Sequence, residues 1–372
     1  MSRYADAHPN PAGPGDARPT ALQVLQDEGV VGKLGGKAIV ITGCSSGIGI
    51  ETARVLSLTG ARLLLTAQSL DKARTALSNI LEPGRVELIE MDNNSLDIVR
   101  EAAKAILRKS SQVNILINHA SIMVLPQLEH TKDGFEKQFG VNNLSHFLLF
   151  QLLKPALLAS ATPDFSSRVV SLSSSAHHVA SINASNNHNF ERLTTTIGLL
   201  VRSGEAHLFF FLLSQSRAVP QAHMKYPRQA IASSPWRIDG QSKTANTYMT
   251  NDIERRYGSQ EFHANSVHSG MIATGFMHYM DPEVLKALTS DRSAYKLMKS
   301  PEQGAATTVW AAIGKDWENK GGQYLSECDR TMSGNDKDEI GGVGVAGHAY
   351  DQVNEARLWK DSLKMVGMED EQ

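Results

Sequence analysis

Between residues 37 and 118 short apolar runs alternate with longer stretches whose apolar residues recur at helical spacing. Residues 37–42 (KAIVIT), 61–67 (ARLLLTA), 86–91 (VELIEM) and 113–118 (VNILIN) are β-branched or leucine-rich. Most lack the strict alternation of a strand with one wet face, the pattern of strands covered on both sides. The intervening segments 48–59, 71–80 and 95–108 predict helices. The rhythm continues with a long helix over 134–158, a strand at 168–172 (RVVSL), a helix over 241–257, a strand at 263–267 (HANSV), a helix over 301–313 and a last strand near 323–325. Strands separated by helices imply a parallel sheet, and right-handed crossovers make one doubly wound α/β sheet the economical topology.

The flanks read differently. Residues 1–20 are rich in Pro, Gly, Ala and Asp and predict a disordered tail, since they bury too little to offset the entropy of ordering. Residues 21–31 (ALQVLQDEGVV) have a weak helical period, so 1–33 is expected to form a tail and an edge helix, 34–366 the domain, and 367–372 a second tail. Residues 194–234 interrupt the domain without a convincing period, well beyond the roughly 12–15 residues of ordinary loops. A substrate lid and a poorly folded insertion are both open readings of this stretch. Its run 208–213 (LFFFLL) is far short of the ~20 apolar residues that span a bilayer. No apolar core of the signal-peptide kind stands near the start, so a soluble, cytoplasmic protein is expected.

Composition narrows the functional classes. Of 372 residues, 41% are hydrophobic and 20% charged, with a net charge of −2. That balance argues against general electrostatic binding to nucleic acid or an acidic membrane. The two cysteines, Cys44 and Cys328, suggest a reducing compartment without a disulfide framework. No His, Cys or carboxylate spacing calls for a metal.

The strongest chemical signal is Thr42-Gly43-Cys44-Ser45-Ser46-Gly47-Ile48-Gly49, between the first strand and the first helix. Gly43 permits the tight turn, Gly47 lets backbone approach a pyrophosphate, and Gly49 lets helix and strand pack closely. The helix start then offers free N–H groups and the positive end of its dipole to the phosphates. Strand, turn and helix in that order predict a Rossmann-like dinucleotide site with Gly43, Ser45, Ser46, Gly47, Ile48 and Gly49 around the phosphates.

The TGxxxGIG spacing resembles the short-chain dehydrogenases/reductases, and the similarity runs from about residue 34 to 366 outside the insertion. It is nearest the retinol-dehydrogenase-like and WW-domain-oxidoreductase-like branch, especially fungal members. Residues 139–147 (FGVNNLSHF), 168–177 (RVVSLSSSAH), 240–246 (GQSKTAN) and 303–307 (QGAAT) carry the resemblance, with Tyr350-Asp351 ahead of Leu358-Trp359. It implies that Asn118 steadies the sheet beside the cofactor ribose and that Asp92 accepts from the adenine. It also implies that Ile272 and Thr274 belong to the nicotinamide loop, with Thr274 on the carboxamide. Ser174 would polarise a substrate carbonyl, Asn142 would position a water and Lys243, and Lys243 would bind the ribose hydroxyls. Taken alone, the serines at 173–175 also admit a reading as mere strand-end residues, while Lys243 reads as a solvated helix residue and His177 and His178 as loop histidines. Residues 66–69 (TAQS) contain no acid that would select NAD. Gln68 there permits a 2′-phosphate without attracting one, so NADP is the expected cofactor and NAD stays open. Homodimers of this family meet through helices equivalent to 134–158 and 241–257, which makes a homodimer the corresponding expectation.

One departure touches the chemistry directly. The family's proton-transfer tyrosine stands four residues before the lysine, and here that position is Asp239. His119, Ser121 and Ser269 replace the usual Asn, Gly and Pro. A solvated aspartate titrates near 3.9, and a neighbouring lysine would hold it charged, so Asp239 is expected to be a poor proton donor. Two readings follow: an NADP-linked oxidoreductase acting on a carbonyl or secondary alcohol of a lipophilic small molecule, by analogy in fungal secondary metabolism, or a catalytically impaired dinucleotide-binding scaffold or sensor. In a third, the insertion and the missing tyrosine share a cause and the chain folds poorly.

Overall fold

The computed structural model describes residues 2–123, 125, 127–182, 235–272, 291–331 and 344–370. Within them β1 (Ala38–Ile41), β2 (Arg62–Ala67), β3 (Val86–Glu90), β4 (Ile115–Asn118), β5 (Ser167–Leu172), β6 (Phe262–His268), β7 (Gln323–Ser326) and β8 (Asp329–Arg330) form one sheet, ordered 3-2-1-4-5-6-7-8. β1 to β7 pair in parallel, and β8 turns back antiparallel on β7. All four residues of β1 and of β4 are buried, as their unbroken apolar runs require. Sequence order reverses at β1, which pairs with both β2 and β4. Loops leaving β1 and β4 diverge there and open a crevice at the strands' carboxyl ends.

One face of the sheet is covered by α1 (Ala21–Glu28), α2 (Gly47–Ser57) and, much later in the chain, α10 (Ala306–Ile313), with Leu25, Leu56, Val309 and Trp310 in the shared core. α3 (Leu70–Ala76) links β2 to β3. The other face is covered by α4 (Leu96–Lys109), α6 (Ser145–Ser160), α7 (Pro235–Tyr257) and α11 (Gln352–Met365), packed through Val99, Phe150, Ile253 and Trp359. Short helices α8 (Arg292–Leu297) and α9 (Pro301–Gly304) precede α10.

The helix expected over 134–158 is three pieces. Gly134 is a turn residue with φ +86°, and the Glu136 carboxylate caps α5 (Lys137–Phe139) by accepting from the N–H groups of Gln138 and Phe139. A π-helical turn, Gly140–Leu144, follows before α6. A side chain at Gly140 would stand 2.4 Å from Thr131 Cγ2, which accounts for the glycine.

The N-terminal residues, expected to be disordered, are packed. Arg18 is buried and donates to the carbonyl oxygens of Gly13, Leu297 and Met298, and its Nε donates to Asp16. Gln303 accepts from Gly15 N–H and donates to the Arg18 carbonyl. The segment is ordered by polar contacts with distant chain, which a count of apolar residues misses.

α11 packs against the helices on which the homodimer expectation rests. Its Trp359 ring lies edge-on to Phe147 at 5.0 Å and to Phe150 at 6.0 Å, and the Arg256 guanidinium stands 4.5 Å over it. Trp359 thus joins Phe147 and Phe150 in the core on this side of the sheet. Among the described residues no helix is long and apolar enough to cross a membrane. The insertion at 194–234 lies outside the described residues.

Candidate active site

The glycine turn has the geometry its spacing implies. Gly43 has φ +75°, and a Cβ there would lie 2.7 Å from Ala120 Cα. A Cβ on Gly49 would lie 2.4 Å from Gly43 O, so the turn and the first coil of α2 close only around hydrogens. Ser45 is half-buried; Ser46, exposed and extended, places no side-chain cap on α2. The first N–H groups at Gly47, Ile48 and Gly49 are thus left to a ligand or to water. Cys44 is buried beneath the turn, its thiol pushed up by burial.

Thr42 joins this turn to the loop after β4, a role not evident from the sequence. Its hydroxyl accepts from the N–H groups of His119 (2.8 Å) and Ala120 (2.9 Å), and so donates to His146 Nε2 at 2.8 Å. His146 then carries its proton on Nδ1 and donates to the Asn142 carbonyl, 2.9 Å away. Burial lowers His146 to about 4, which keeps the ring neutral in that tautomer.

Around the turn the expected cofactor residues are spread as follows. Asn118 donates to Ser171 Oγ at 3.2 Å, while its own Oδ1 is buried without a partner. His119 Nε2 is likewise unpartnered, and burial lowers that ring to about 3. Asp92, half-buried, accepts from Asn94 N–H at 3.0 Å and lies 3.6 Å from Lys132. Gln68 is exposed just beyond β2. Ile272 bridges Lys299, and a Cβ on Gly304 would meet Ile272 at 2.6 Å and Ile48 at 3.4 Å, so the loop after β6 abuts the start of α2. Thr274 lies outside the described residues. Tight glycines, an uncapped helix start and orphaned buried polar atoms fit a dinucleotide.

Beyond the turn, Asn142 sits in the π-helical turn, where an extra residue in the coil re-aims side chains. Its amide is held at both ends: Oδ1 accepts from Ile122 N–H at 2.8 Å, and Nδ2 donates to Ile122 O at 2.8 Å and to Ser242 Oγ at 2.9 Å. Lys243, 5% exposed, donates to Ser121 Oγ at 2.6 Å. The solvated reading of this lysine does not hold.

Asp239 differs from a solvated aspartate. It is 2% exposed, and burial raises its carboxyl to about 6 although the Lys243 charge pulls the other way. Desolvation exceeds the attraction, and the same burial lowers Lys243. Glu136 is raised to about 7, chiefly by burial, with Asp239 adding to the shift.

The serines divide their work. Ser174, half-buried, caps the 3₁₀ turn Ser175–Val179 by accepting from Ala176 N–H at 3.1 Å. Ser173 is structural: its hydroxyl donates to Lys243 O at 2.9 Å and ties β5 to α7. His177, expected in an open loop, is buried, with Nδ1 donating to Ser174 O at 2.7 Å and Nε2 accepting from Ala346 N–H at 3.0 Å.

A parallel sheet that reverses order beside this glycine turn, with a serine, a lysine and an asparagine gathered past it, defines a nucleotide-binding α/β scaffold. A family model described as short chain dehydrogenase matches residues 37–186. A short-chain dehydrogenase/reductase, prx1, from Penicillium roqueforti is 43% identical over 98% of this chain and 95% of its own. The human WW domain-containing oxidoreductase is 32% identical over 85% of this chain and 67% of its own. Among solved structures, the Pseudomonas aeruginosa RhlG/NADP complex superposes with a TM-score of 0.55 at 20% identity, over 80% of this chain and 96% of that one. The 3-ketoacyl-(acyl-carrier-protein) reductase from Brucella melitensis with NADH gives 0.54 at 16% identity, over 79% and 97%. The chain belongs to the short-chain dehydrogenase/reductase family of oxidoreductases.

Proposed function

We propose that the protein is an NADP-linked oxidoreductase that interconverts a carbonyl and a secondary alcohol on a lipophilic small molecule. The observation that carries this reading is the buried Lys243, fixed beside the loop after β4 and one helical turn from a buried carboxyl. Residues 43–49, Asn118, Ile272 and Lys243 would hold the dinucleotide, and Gln68, exposed and uncharged, leaves room for a 2′-phosphate. When bound, the nicotinamide supplies hydride exchange with the carbonyl carbon.

Ser174 donates its hydroxyl proton in a hydrogen bond to the substrate oxygen and stabilises the charge that develops there. His177 holds the backbone from which Ser174 projects. Asp239 serves as proton donor to that oxygen. Raised to about 6, it keeps its proton in roughly a tenth of molecules at pH 7, against about one in a thousand for a solvated aspartate. A carboxyl is shorter than a phenol, and the reaction is expected to be slow.

The experiment is a thermal-shift titration with NADPH and NADH, followed by NADPH consumption over a panel of lipophilic ketones and aldehydes. NADPH is expected to raise the melting temperature more than NADH, and at least one carbonyl to be reduced. Failure of both cofactors to stabilise the folded protein would overturn the reading. Stabilisation without turnover of any substrate would favour the second reading, a dinucleotide-binding scaffold or sensor, which the replacement of tyrosine by Asp239 supports.

A further inference from the structure

Lys243 has an anchor that comes from outside its own helix. Ser121 Oγ lies 2.6 Å from Nζ, whereas Asp239, one turn earlier on α7, makes no direct ion pair with it. Ser121 is itself held. The next residue, Ile122, is gripped at both its N–H and its carbonyl by the Asn142 amide. Asn142 Nδ2 donates to Ser242 Oγ, and the Ser242 hydroxyl donates to Asp239 O at 2.8 Å. Ser242 and Lys243 are consecutive on α7, so the contacts close a circuit through the β4 loop, the π-helical turn and α7. The circuit fixes where a long, flexible ammonium stem ends.

We propose that Ser121 is the positioning residue for Lys243: it pre-sets the ammonium at the dinucleotide site and leaves the remaining N–H groups for the ribose hydroxyls. This rests on the cofactor reading above. An ammonium has three donors and no acceptor, while a hydroxyl can accept one of them and still donate elsewhere. Holding the stem before the ligand arrives removes much of the ordering cost of binding. The serine hydroxyl also gives a buried cation a partner in the free protein, where an unpaired one would be costly.

Two double-mutant cycles test it. In the first, NADPH affinity is measured by calorimetry for wild type, Ser121→Ala, Lys243→Met and the double variant. Hydrogen bonds to charged groups predict that Ser121→Ala weakens binding roughly tenfold. It should change nothing further once Lys243 is Met, and Ser121→Thr, which keeps the hydroxyl, should restore most of the loss. Equal losses from Ser121→Ala in both backgrounds would overturn the proposal. The second cycle uses the same variants without ligand, read as denaturation midpoints. The double variant should shift by less than the two single shifts combined, and strict additivity would overturn the proposal. Because this cycle needs no cofactor, a wild type that binds neither NADPH nor NADH would sink the cofactor reading while the Ser121–Lys243 contact is still decided.

Discussion

Asp239 and Lys243 stand one helical turn apart inside the protein, and their burial outweighs their attraction. The carboxyl is raised to about 6 and the ammonium is lowered, the reverse of what pairing alone would do to either group. Two charges taken out of water are repaid only by close, well-satisfied contact. Here Asp239 Oδ1 has no hydrogen-bond partner and the lysine is turned to Ser121.

Asp239→Tyr should therefore raise the rate of carbonyl reduction, by up to about a hundredfold, within the usual contribution of a well-placed general acid. In the wild type, reduction should fall as pH rises through about 6, because the donor's proton is lost there. Asp239→Asn should abolish that limb of the profile. Steady-state rates from pH 5 to 9 for the three proteins decide it; a tyrosine variant no faster than wild type would remove Asp239 from the proton path.

The fold and the glycine turn could be read from sequence because they are written locally. β1 and β4 are short apolar runs, and Gly43, Gly47 and Gly49 fall within seven consecutive positions. What escaped the reading depends on distance along the chain. Arg18 is ordered by carbonyls some 280 residues away, and α11 returns at the end of the chain to pack Trp359 against Phe147. Thr42 and His146 share one hydrogen bond across 104 positions. The shift at Asp239 is illegible for a related reason: sequence gives the neighbouring charge at Lys243 but not the depth of burial, which is the larger cause.

Gly49→Ala is a direct test of the phosphate turn. The added carbon would lie 2.4 Å from Gly43 O and 3.1 Å from His119 Nδ1, and neither backbone nor a buried ring can yield cheaply. NADPH affinity should drop at least tenfold or so, with a lower melting temperature in the absence of ligand. Unchanged affinity by calorimetry would show that the dinucleotide does not use this turn.

The molecule should be acid-labile between about pH 6 and 4.5. His119, His146, His177 and His268 all have their pKa lowered by burial, to about 3 for His119 and about 4 for His146 and His268. Below pH ~6.5 the unfolded chain takes up a proton on each while the folded chain does not, so stability falls with pH. Asp239 and Glu136 act oppositely: raised to about 6 and about 7, they bind protons first in the folded state and gain stability as pH falls. Four histidines against two carboxyls leave about two protons taken up on unfolding, a slope of ~3 kcal/mol per pH unit near pH 5. Urea denaturation at several pH values measures it, and a flat stability across that window would contradict the burial of these rings.

Arg18→Ala tests whether the N-terminal segment is part of the fold. Its removal strips donors from the carbonyls of Gly13, Leu297 and Met298 and leaves Asp16 without its cation. Orphaned buried acceptors cost about 1–3 kcal/mol each, less whatever water can repair, so a loss of roughly 3 kcal/mol is expected in chemical denaturation. A loss below about 1 kcal/mol would mean that residues 2–20 rest on the domain without supporting it.

Trp359→Ala tests whether α11 keeps the chain a single copy. With α11 in place, Phe147, Phe150 and Ile253 are all buried within one chain, and light scattering after size exclusion should give the 40.5 kDa mass of a single copy. Trp359→Ala removes the ring that fills the space over Phe147 and Phe150, at a cost of about 3–5 kcal/mol. It also loosens α11 from α6 and α7. An apolar helix pair released in this way is the surface through which two copies would associate, so the variant should show a concentration-dependent larger species that the wild type lacks. A wild type that runs as a stable dimer, with Trp359→Ala leaving that dimer intact, would place the subunit contact elsewhere and deny α11 the role of an internal partner.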